Sequence, residues 1–243
     1  IAKNVIFWQQ RTDAIWARDY GPLSIVEGSG GANAKLSLVD YRYYHTRVRD
    51  DETPTKLAAQ WGVNVFRPDL DSEGGNFMNT SDGLCALSKG VLWYNLGLAQ
   101  SAVEQLFKEY QGCKKVLLVD AMSGAIPHID MYAKFSADDT VLVGQYTAAQ
   151  HAGNRKILEG VATLLAATKN PSGKTLKVIR IPMANVGKSG KYNVWRTYTN
   201  SLSLSNGTNK VVLIPTYSDE TSNEAGAMAA YAKAYPGWTL IKV

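Results

Sequence analysis

The sequence predicts an α/β fold in which small sheets surround a centre and helices lie outside them. Three observations support this class. One unit, made of a strand, a short polar motif, a hairpin and a helix, occurs four times, and a fifth copy begins. Hairpins alternate with single helices, which fits a bundle, a sandwich or an open doubly wound sheet less well. Apolar residues make up 45% of the 243 residues, enough to fill a core.

Short apolar runs predict the strand that opens each unit. They are VIFW (5–8), VNVFRP (63–68), KVLLVD (115–120), LKVIRIP (176–182) and TLIKV (239–243). A motif follows each of the first four: Trp16-Ala17-Arg18-Asp19-Tyr20-Gly21-Pro22, Glu73-Gly74-Gly75-Asn76, His128-Ile129-Asp130 and Tyr198-Thr199-Asn200-Ser201. Self-similar units place like positions at like places in space. We therefore expect the four motifs to converge on one site.

Turn residues predict a hairpin in each unit. The turns are VEGSGGANAK (26–35), Ser81-Asp82-Gly83, Ala137-Asp138-Asp139 and Asn206-Gly207. The last is the strongest signal, because both of its residues tolerate a positive φ.

A helix is predicted after each hairpin, over residues 53–60, 98–110, 154–167 and 222–235. Pro54 suits a first helical turn, and Gly112 suits a helix end. No Pro/Gly-rich linker separates the units. We expect one continuous domain.

Composition disfavours several function classes. The formal charge is +5 with Lys and Arg scattered, so nucleic-acid binding is not expected. No apolar run approaches transmembrane length, so no membrane partner is expected. Cys85 and Cys113 lack the C-x-x-C spacing of zinc and thioredoxin sites. Buried thiols are the favoured interpretation of both cysteines, and a disulfide between them stays open.

Each early motif has a structural and a functional interpretation. Asp19 beside Arg18 and Trp16 is either an ion pair under an aromatic ring or a carboxylate that grips a guanidinium. Gly74 marks a tight bend or a close approach of the backbone to a ligand. Glu73 is a gate, a ligand clamp or a surface charge.

The later motifs carry acid–base chemistry. If His128 and Asp130 lie on a strand, alternation points both side chains to the same face; a core histidine is the structural alternative. Asn200 is either a strand-entry residue or a polar group lining the site. Arg47 and Arg49 are either solvated loop charges or groups that bind a substrate carboxylate or peptide carbonyl. The other histidines, His45 and His151, lie in polar stretches.

Taken in this order, the four motifs resemble the guanidino-group-modifying superfamily. Within it, the chain is most similar to the bacterial peptidylarginine deiminases and agmatine deiminases. The stretches DYRYYHTRVRDDETP and TYTNSLSLSN favour the peptidylarginine branch. The resemblance implies a pentein fold, a five-bladed α/β propeller of ββαβ units, with the first and last blades incomplete. It covers residues 4–243 and implies a single deiminase catalytic-domain core over residues 1–243.

The resemblance also assigns roles to individual residues. His128 matches the general acid/base, and Asp19 and Asp130 match the two catalytic carboxylates that hold the guanidinium. The implied substrate-binding residues are Trp16, Arg18, Arg47, Glu73, Gly74, Asn76 and Asn200. Arg47 matches an arginine that recognises a substrate carboxylate, whereas an adjacent family arginine is His45 here. The reaction needs no metal and no organic cofactor.

The family nucleophile is a cysteine in a Gly-rich motif after the fifth strand, and the sequence ends at Val243 before such a motif. We therefore expect residues 1–243 to be a fragment or processed form, inactive alone, whose partner is a C-terminal segment that carries this cysteine. The expected substrate is peptidyl-arginine, with agmatine as the alternative. A non-catalytic guanidinium-binding domain and an amidinotransferase stay open. Location is open as well: secreted for the peptidylarginine branch, cytoplasmic for the agmatine branch.

Overall fold

The computed structural model describes residues 7–28, 33–189 and 191–243, with only the backbone of residues 189 and 192. The chain divides into two compact units. The first unit contains Ile1–Gly74 and Glu109–Gln111, and the second contains Gly75–Lys108 and Gly112–Val243. Whether they act as the single domain expected from the sequence stays a prediction.

The described residues form a mixed α/β structure. Its helices are α1 (Ala17–Tyr20), α2 (Val48–Asp51), α3 (Thr53–Trp61), α4 (Gly90–Tyr94), α5 (Gln100–Gln111), α6 (Ala152–Ala166) and α7 (Glu224–Ala234). Its strands are β1 (Leu23–Glu27), β2 (Lys35–Val39), β3 (Asn64–Phe66), β4 (Met78–Asn79), β5 (Leu84–Ser88), β6 (Lys115–Val119), β7 (Ala133–Ala137), β8 (Thr140–Gln145), β9 (Lys177–Pro182), β10 (Gly187–Ser189), β11 (Tyr192–Val194), β12 (Leu202–Ser205), β13 (Lys210–Ile214) and β14 (Thr239–Lys242).

One sheet pattern recurs through the part of the chain that the structure describes. The sheets β1-β2-β3, β4-β5-β6, β7-β8-β9 and β12-β13-β14 each contain an antiparallel hairpin and a parallel third strand. A helix, α3, α5, α6 or α7 respectively, precedes each third strand. The ββαβ repeat is therefore observed. No sheet closes on itself within the described residues, and their arrangement as a propeller stays a prediction.

Local signals in the sequence account for the helix ends. Pro54 lies in the first turn of α3, where its missing N–H has no helical partner to lose. Gly112 ends α5 with φ 66°, a left-handed conformation that a glycine adopts without a Cβ clash. The four predicted helices differ from α3, α5, α6 and α7 by no more than two residues at either end.

The second unit contains two apolar cores. In one, α6 packs on β8 and β9, and the buried side chains include Leu84, Val143, Leu158 and Leu165. In the other, α7 packs on β8 and β9. Removal of this apolar surface from water supplies the main stabilisation, at about 25 cal/mol per Å². In the first unit, buried Leu38, Val39 and Ala58 place α3 against β2.

Three expectations differ from the structure. The predicted strand 5–8 lies partly outside the described residues, and residues 7–8 form no strand. Residues Ile129–Met131 form a 3₁₀ turn instead of a strand. The short helices α1, α2 and α4 and the β10–β11 hairpin were not predicted.

Both cysteines are buried, as the sequence favoured, and the disulfide that it left open is present, so they are not thiols. Cys85 on β5 and Cys113, just beyond α5, form a disulfide with a Cα–Cα distance of 5.8 Å. It joins positions 28 residues apart and leaves the chain without a free cysteine. Among the described helices, none is both long and apolar enough to cross a membrane.

Candidate functional site

The third motif lies in the second unit, in residues 127–131, which we call the His128 segment. His128 has an extended backbone (φ −98°, ψ 139°), and the 3₁₀ turn Ile129–Met131 follows it. His128 is 3% exposed, Ile129 is fully buried, and Asp130 is partly exposed. The expected strand alternation therefore does not apply here, and a tight turn separates the imidazole from the carboxylate.

Asn76 of the second motif binds the backbone of the His128 segment. Its Oδ1 accepts the N–H of Ile129 at 3.1 Å and the N–H of Ser88 at 2.9 Å, while its Nδ2 donates to the Ser88 carbonyl at 3.3 Å. Asn76 is only 3% exposed. Since buried polar groups must find partners, these bonds fix the side chain in one orientation.

Ser88, at the end of β5, makes a second connection to the same segment. Its hydroxyl donates to the Pro127 carbonyl and accepts the N–H of Gly90 at 3.1 Å. Gly90 itself packs on Pro127: a Cβ at this glycine would lie 2.7 Å from the Pro127 carbonyl oxygen. The start of α4 and the His128 segment are thus in direct backbone contact.

Thr199 of the fourth motif also binds the backbone of the His128 segment. Its hydroxyl donates to the Asp130 carbonyl at 2.8 Å and lies 2.7 Å from the hydroxyl of Thr197. The Tyr231 hydroxyl donates to the Tyr198 carbonyl at 2.6 Å and lies 2.8 Å from the Ser201 hydroxyl. Three of the four motifs therefore meet within the second unit. Asn76 was expected to bind substrate, whereas the sequence analysis assigned no role to Thr199.

Burial and charge also shape this region. Tyr132 is fully buried, and burial, followed by the nearby carboxylates of Asp120 and Asp130, raises the pKa of its phenol far above the ordinary value. Its hydroxyl donates to the Asp120 carbonyl at 2.9 Å. The Asp130 carboxylate thus lies close enough to Tyr132 to act on it electrostatically.

In the first unit, Asp19 and Glu73 lie around one tyrosine. Tyr43 is 8% exposed, and burial, then the negative charges of Asp19 and Glu73, raise its pKa to about 12. Glu73 is 7% exposed, so it is not the surface charge considered from the sequence. We call Asp19, Tyr43, Arg47 and Glu73 the tyrosine cluster.

Gly74 brings the first two motifs into backbone contact. A Cβ at this position would collide with the Arg18 carbonyl oxygen. From the sequence, Gly74 marked either a tight bend or a close approach of the backbone to a ligand. The close approach that the structure shows is to the backbone of Arg18. Asp19 itself lies on the single-turn helix α1, so the 73–74 backbone positions the turn that carries this carboxylate.

Arg47 contacts two tyrosines. Its Nη1 donates to the Tyr43 hydroxyl at 2.9 Å, and its guanidinium carbon lies 5.0 Å from the ring centre of Tyr44. Arg49 instead pairs with Asp13 at 2.9 Å, a structural ion pair at the surface.

The remaining predicted residues are more open to solvent. Trp16 is 54% exposed directly before α1, and Arg18 is exposed as well. Asn200 is exposed next to buried Thr199. Within residues 7–28, 33–189 and 191–243, no group of three or more His, Cys, Asp or Glu side chains is arranged to hold a metal ion.

Comparison with known proteins relates this arrangement to one family. The family model described as Porphyromonas-type peptidyl-arginine deiminase matches residues 2–243. The chain belongs to this family. Its membership confirms the resemblance seen in the motifs.

Relatives of this peptidyl-arginine deiminase family member include bacterial agmatine deiminases. A Streptomyces avermitilis protein that carries the name "Putative agmatine deiminase" is 24% identical over 206 residues, which are 77% of this chain and 58% of the relative. A Shewanella protein of the same name is 24% identical over 74% of this chain and 51% of the relative. The chain thus spans little more than half the length of these curated relatives.

Solved structures support the fold of this family member. An Enterococcus faecalis agmatine deiminase superimposes with a TM-score of 0.82 at 22% identity, over 96% of this chain and 70% of that chain. A C. jejuni agmatine deiminase has a TM-score of 0.79 at 22% identity, over 99% and 69%. At this identity the likeness establishes the fold alone.

Proposed function

We propose that the protein hydrolyses the guanidinium of arginine-type substrates, converting peptidyl-arginine to citrulline and ammonia. The observation that supports this most directly is the fixation of the His128 segment by the second and the fourth motif. Asn76 holds it at Ile129, and Thr199 holds it at Asp130. An acid–base histidine next to a carboxylate, held rigidly in a member of a deiminase family, suits this chemistry.

The substrate group determines which residues are needed. A guanidinium is planar and cationic, and carboxylates bind it through paired, charge-assisted hydrogen bonds. The proposal assigns this task to Asp19 and Asp130. The two belong to different compact units, so their joint action is a prediction for mutagenesis. Trp16, Arg18, Glu73, Gly74, Asn76 and Asn200 are proposed to line or support the site.

The proposed reaction has two steps. A cysteine thiolate attacks the central guanidinium carbon, and ammonia leaves with a proton from His128. Next, His128 removes a proton from water, whose oxygen attacks the same carbon, and the thiolate leaves. One water is consumed, and one ureido product and one ammonium are formed. Histidine suits both steps because its ordinary pKa, about 6.5, lies near neutrality.

Neither cysteine of these 243 residues is proposed as the nucleophile. Cys85 and Cys113 are bonded to each other, and their side chains are 1% and 5% exposed. Attack requires an accessible thiolate. We propose that the nucleophilic cysteine belongs to a part of the protein outside residues 1–243.

The test uses protein expressed from the complete reading frame. Ammonia and citrulline are measured with a C-terminal arginyl peptide as substrate. We expect His128→Ala and Asp130→Asn to lower kcat by at least about 100-fold, the usual contribution of general acid–base groups. His151→Ala is the matched control, because His151 is exposed and caps α6. Equal activity of the His128 and His151 variants would refute the assignment.

Agmatine deiminase activity is the second candidate, because the curated relatives carry that name. Agmatine has the guanidinium of arginine but no carboxylate. A protein that releases ammonia faster from agmatine than from the arginyl peptide would favour this candidate. Binding of either substrate without ammonia release would favour a non-catalytic guanidinium-binding domain. Transfer of the amidine to an added amine would indicate an amidinotransferase.

A further inference from the structure

Asp50 is a buried carboxylate of the first unit that the proposed reaction does not use. It lies in α2, and its side chain is fully buried. Its Oδ1 accepts the backbone N–H of Asp13 at 2.6 Å and the backbone N–H of Ala14 at 3.2 Å. Burial of a charge is costly unless hydrogen bonds compensate it. These two bonds therefore tie the backbone of residues 13–14 to α2.

The contact is reciprocal. The carboxylate of Asp13 accepts the backbone N–H of Arg49 at 2.8 Å and Arg49 Nη1 at 2.9 Å. Each segment thus supplies a carboxylate that binds backbone N–H groups of the other. We call Asp13, Ala14, Arg49 and Asp50 the aspartate clasp. Because the bonds run in both directions, neither segment can move along the other without loss of several hydrogen bonds.

The aspartate clasp is continuous with the motif that carries Asp19. The hydroxyl of Tyr20, the last residue of α1, donates to the Ala14 carbonyl at 3.2 Å. Residues 14–20, which we call the Asp19 loop, are therefore closed on themselves at Ala14. The N–H of the same residue is bound by Asp50. The position of the whole loop relative to α2 thus depends on this carboxylate.

The Asp19 loop has little packing of its own. Ile15, Trp16 and Arg18 are exposed, and α1 is a single turn of four residues, too short to be stable alone. A segment with few buried apolar contacts opens at a low cost in free energy. Besides the clasp, the close approach of the Gly74 backbone to the Arg18 carbonyl restrains it.

We propose that Asp50 is a positioning residue, which holds the Asp19 loop so that the Asp19 carboxylate can bind the guanidinium of the substrate. The inference rests on the proposed function and deepens it by naming a residue on which guanidinium binding depends. Paired hydrogen bonds between a carboxylate and a guanidinium are directional, so the backbone that carries the carboxylate must be fixed. Asp50 binds backbone N–H groups and acts on the substrate only through Asp19.

Trypsin measures the opening of the Asp19 loop directly, because Arg18 is an exposed cleavage site within it. The rate of cleavage after Arg18 is followed by mass spectrometry, with protein from the complete reading frame. We expect Asp50→Ala to raise this rate at least about 10-fold, as for lost hydrogen bonds to a charged group. Asp50→Asn should stay close to the unsubstituted protein. Its amide oxygen can accept the same two N–H groups, and Oδ2, which the NH₂ group replaces, makes no hydrogen bond among the described residues.

Calorimetry with an arginyl peptide measures the consequence for binding. Asp50→Ala should raise the dissociation constant about 10-fold, and Asp50→Asn should restore it. Addition of Asp50→Ala to Asp19→Asn should have no further effect, since the two substitutions act on one contact. Additive losses would show a general effect on the fold and would overturn the inference.

Asp40→Ala is the matched control. Asp40 is an equally buried carboxylate of the first unit, but its bonds go to the side chains of Thr55 and Arg67. It should change neither the cleavage after Arg18 nor the dissociation constant. If Asp50→Ala does not fold, Asp13→Ala replaces it, because it opens the aspartate clasp from the partly exposed side. Asp13→Ala should raise both quantities, and no change in either would refute the positioning role.

The two measurements distinguish failure of the inference from failure of the proposed function. If the unsubstituted protein binds the peptide and Asp50→Ala binds it equally well, the inference is wrong and the proposed function stands. If the unsubstituted protein neither binds the peptide nor releases ammonia, the proposed function is wrong. Faster cleavage after Arg18 in Asp50→Ala than in Asp40→Ala then still supports Asp50 as the residue that holds the loop. Equal cleavage rates refute this role whether or not the protein is active.

Discussion

The side-chain oxygen of Asn76 accepts the backbone N–H of Ile129, 53 residues further along the chain, at 3.1 Å. The same oxygen accepts the N–H of Ser88. A single amide therefore fixes the end of β5 relative to the backbone between His128 and Asp130. Two motifs that share no sequence similarity are joined by this one buried side chain.

Replacement of Asn76 by alanine should destabilise the protein strongly. Two buried N–H groups would lose their acceptor, at a cost of about 1–3 kcal/mol each. We expect the free energy of unfolding, measured in urea, to fall by about 2–6 kcal/mol. Asn79→Ala is the matched control: Asn79 is exposed and donates a hydrogen bond only to its neighbour Thr80 among the described contacts. Equal effects of the two substitutions would contradict a bridging role for Asn76.

Gly74→Ala should also destabilise, for a steric reason. The added methyl group would collide with the Arg18 carbonyl, a backbone atom that cannot rotate away. We expect a loss of about 1–3 kcal/mol in unfolding free energy. Gly160→Ala should instead stabilise the protein. Gly160 lies in α6 with open space around it, and alanine favours a helix over glycine by about 1 kcal/mol. Thermal unfolding of both variants tests the two expectations. A Gly74→Ala variant as stable as the unsubstituted protein would contradict the steric argument.

Glu220 should make stability depend on pH. Its carboxylate accepts hydrogen bonds from Ser222, Asn185 and Asn223, and these bonds, that from Ser222 foremost, hold its pKa below the ordinary 4.5. Because the pKa is lower in the folded state, the ionised Glu220 stabilises the fold above pH 4.5. This stabilisation is lost as the pH falls through the pKa of the folded state.

Glu220→Gln isolates this contribution. We expect the variant to be less stable than the parent by about 1–2 kcal/mol at pH 6, since an amide replaces one acceptor oxygen by a donor. The difference should shrink as pH falls below 4.5, because the parent then becomes protonated as well. Urea unfolding at pH 6 and pH 3 measures both differences. A difference that is constant or grows at pH 3 would show that Glu220 is not involved.

Much of the fold could be predicted because its signals are local. Asn206-Gly207 predicted the β12–β13 hairpin, and Gly112 predicted the end of α5. The family could be predicted because several motifs occur in a fixed order. Each of these signals depends on residues close together in the sequence, whose preferences tertiary contacts did not override.

What escaped prediction depends on contacts between distant residues. The turn at Ile129–Met131 is stabilised by Asn76 and Thr199, which lie 53 and 69 residues from their partners. Nothing in His128-Ile129-Asp130 itself indicates a 3₁₀ turn. Whether Cys85 and Cys113 are bonded could not be decided for the same reason, because the bond requires β5 to lie beside the end of α5.

Opening the disulfide should weaken the second unit. A bridge between positions 28 residues apart restricts the unfolded chain by about 3–4 kcal/mol in the chain-entropy description. We expect the urea midpoint to fall when a phosphine reductant is added. A protein with both Cys85→Ala and Cys113→Ala should be insensitive to the reductant. If the reductant lowers the urea midpoints of the unsubstituted protein and of the double variant equally, its effect does not come from this bond.

Residues 1–243 expressed alone should release no ammonia from agmatine or from arginyl peptides. Their two cysteines are bonded to each other, and a disulfide sulfur cannot attack a guanidinium as a thiolate. Reduction should not change this, because both cysteines are buried and a buried thiol is neither accessible nor readily ionised. An enzyme-coupled ammonia assay with and without reductant tests both statements, with the protein from the complete reading frame as positive control. Ammonia that appears on reduction and disappears when Cys85 and Cys113 are both replaced by alanine would place the nucleophile within these residues, because no other thiol is present in them.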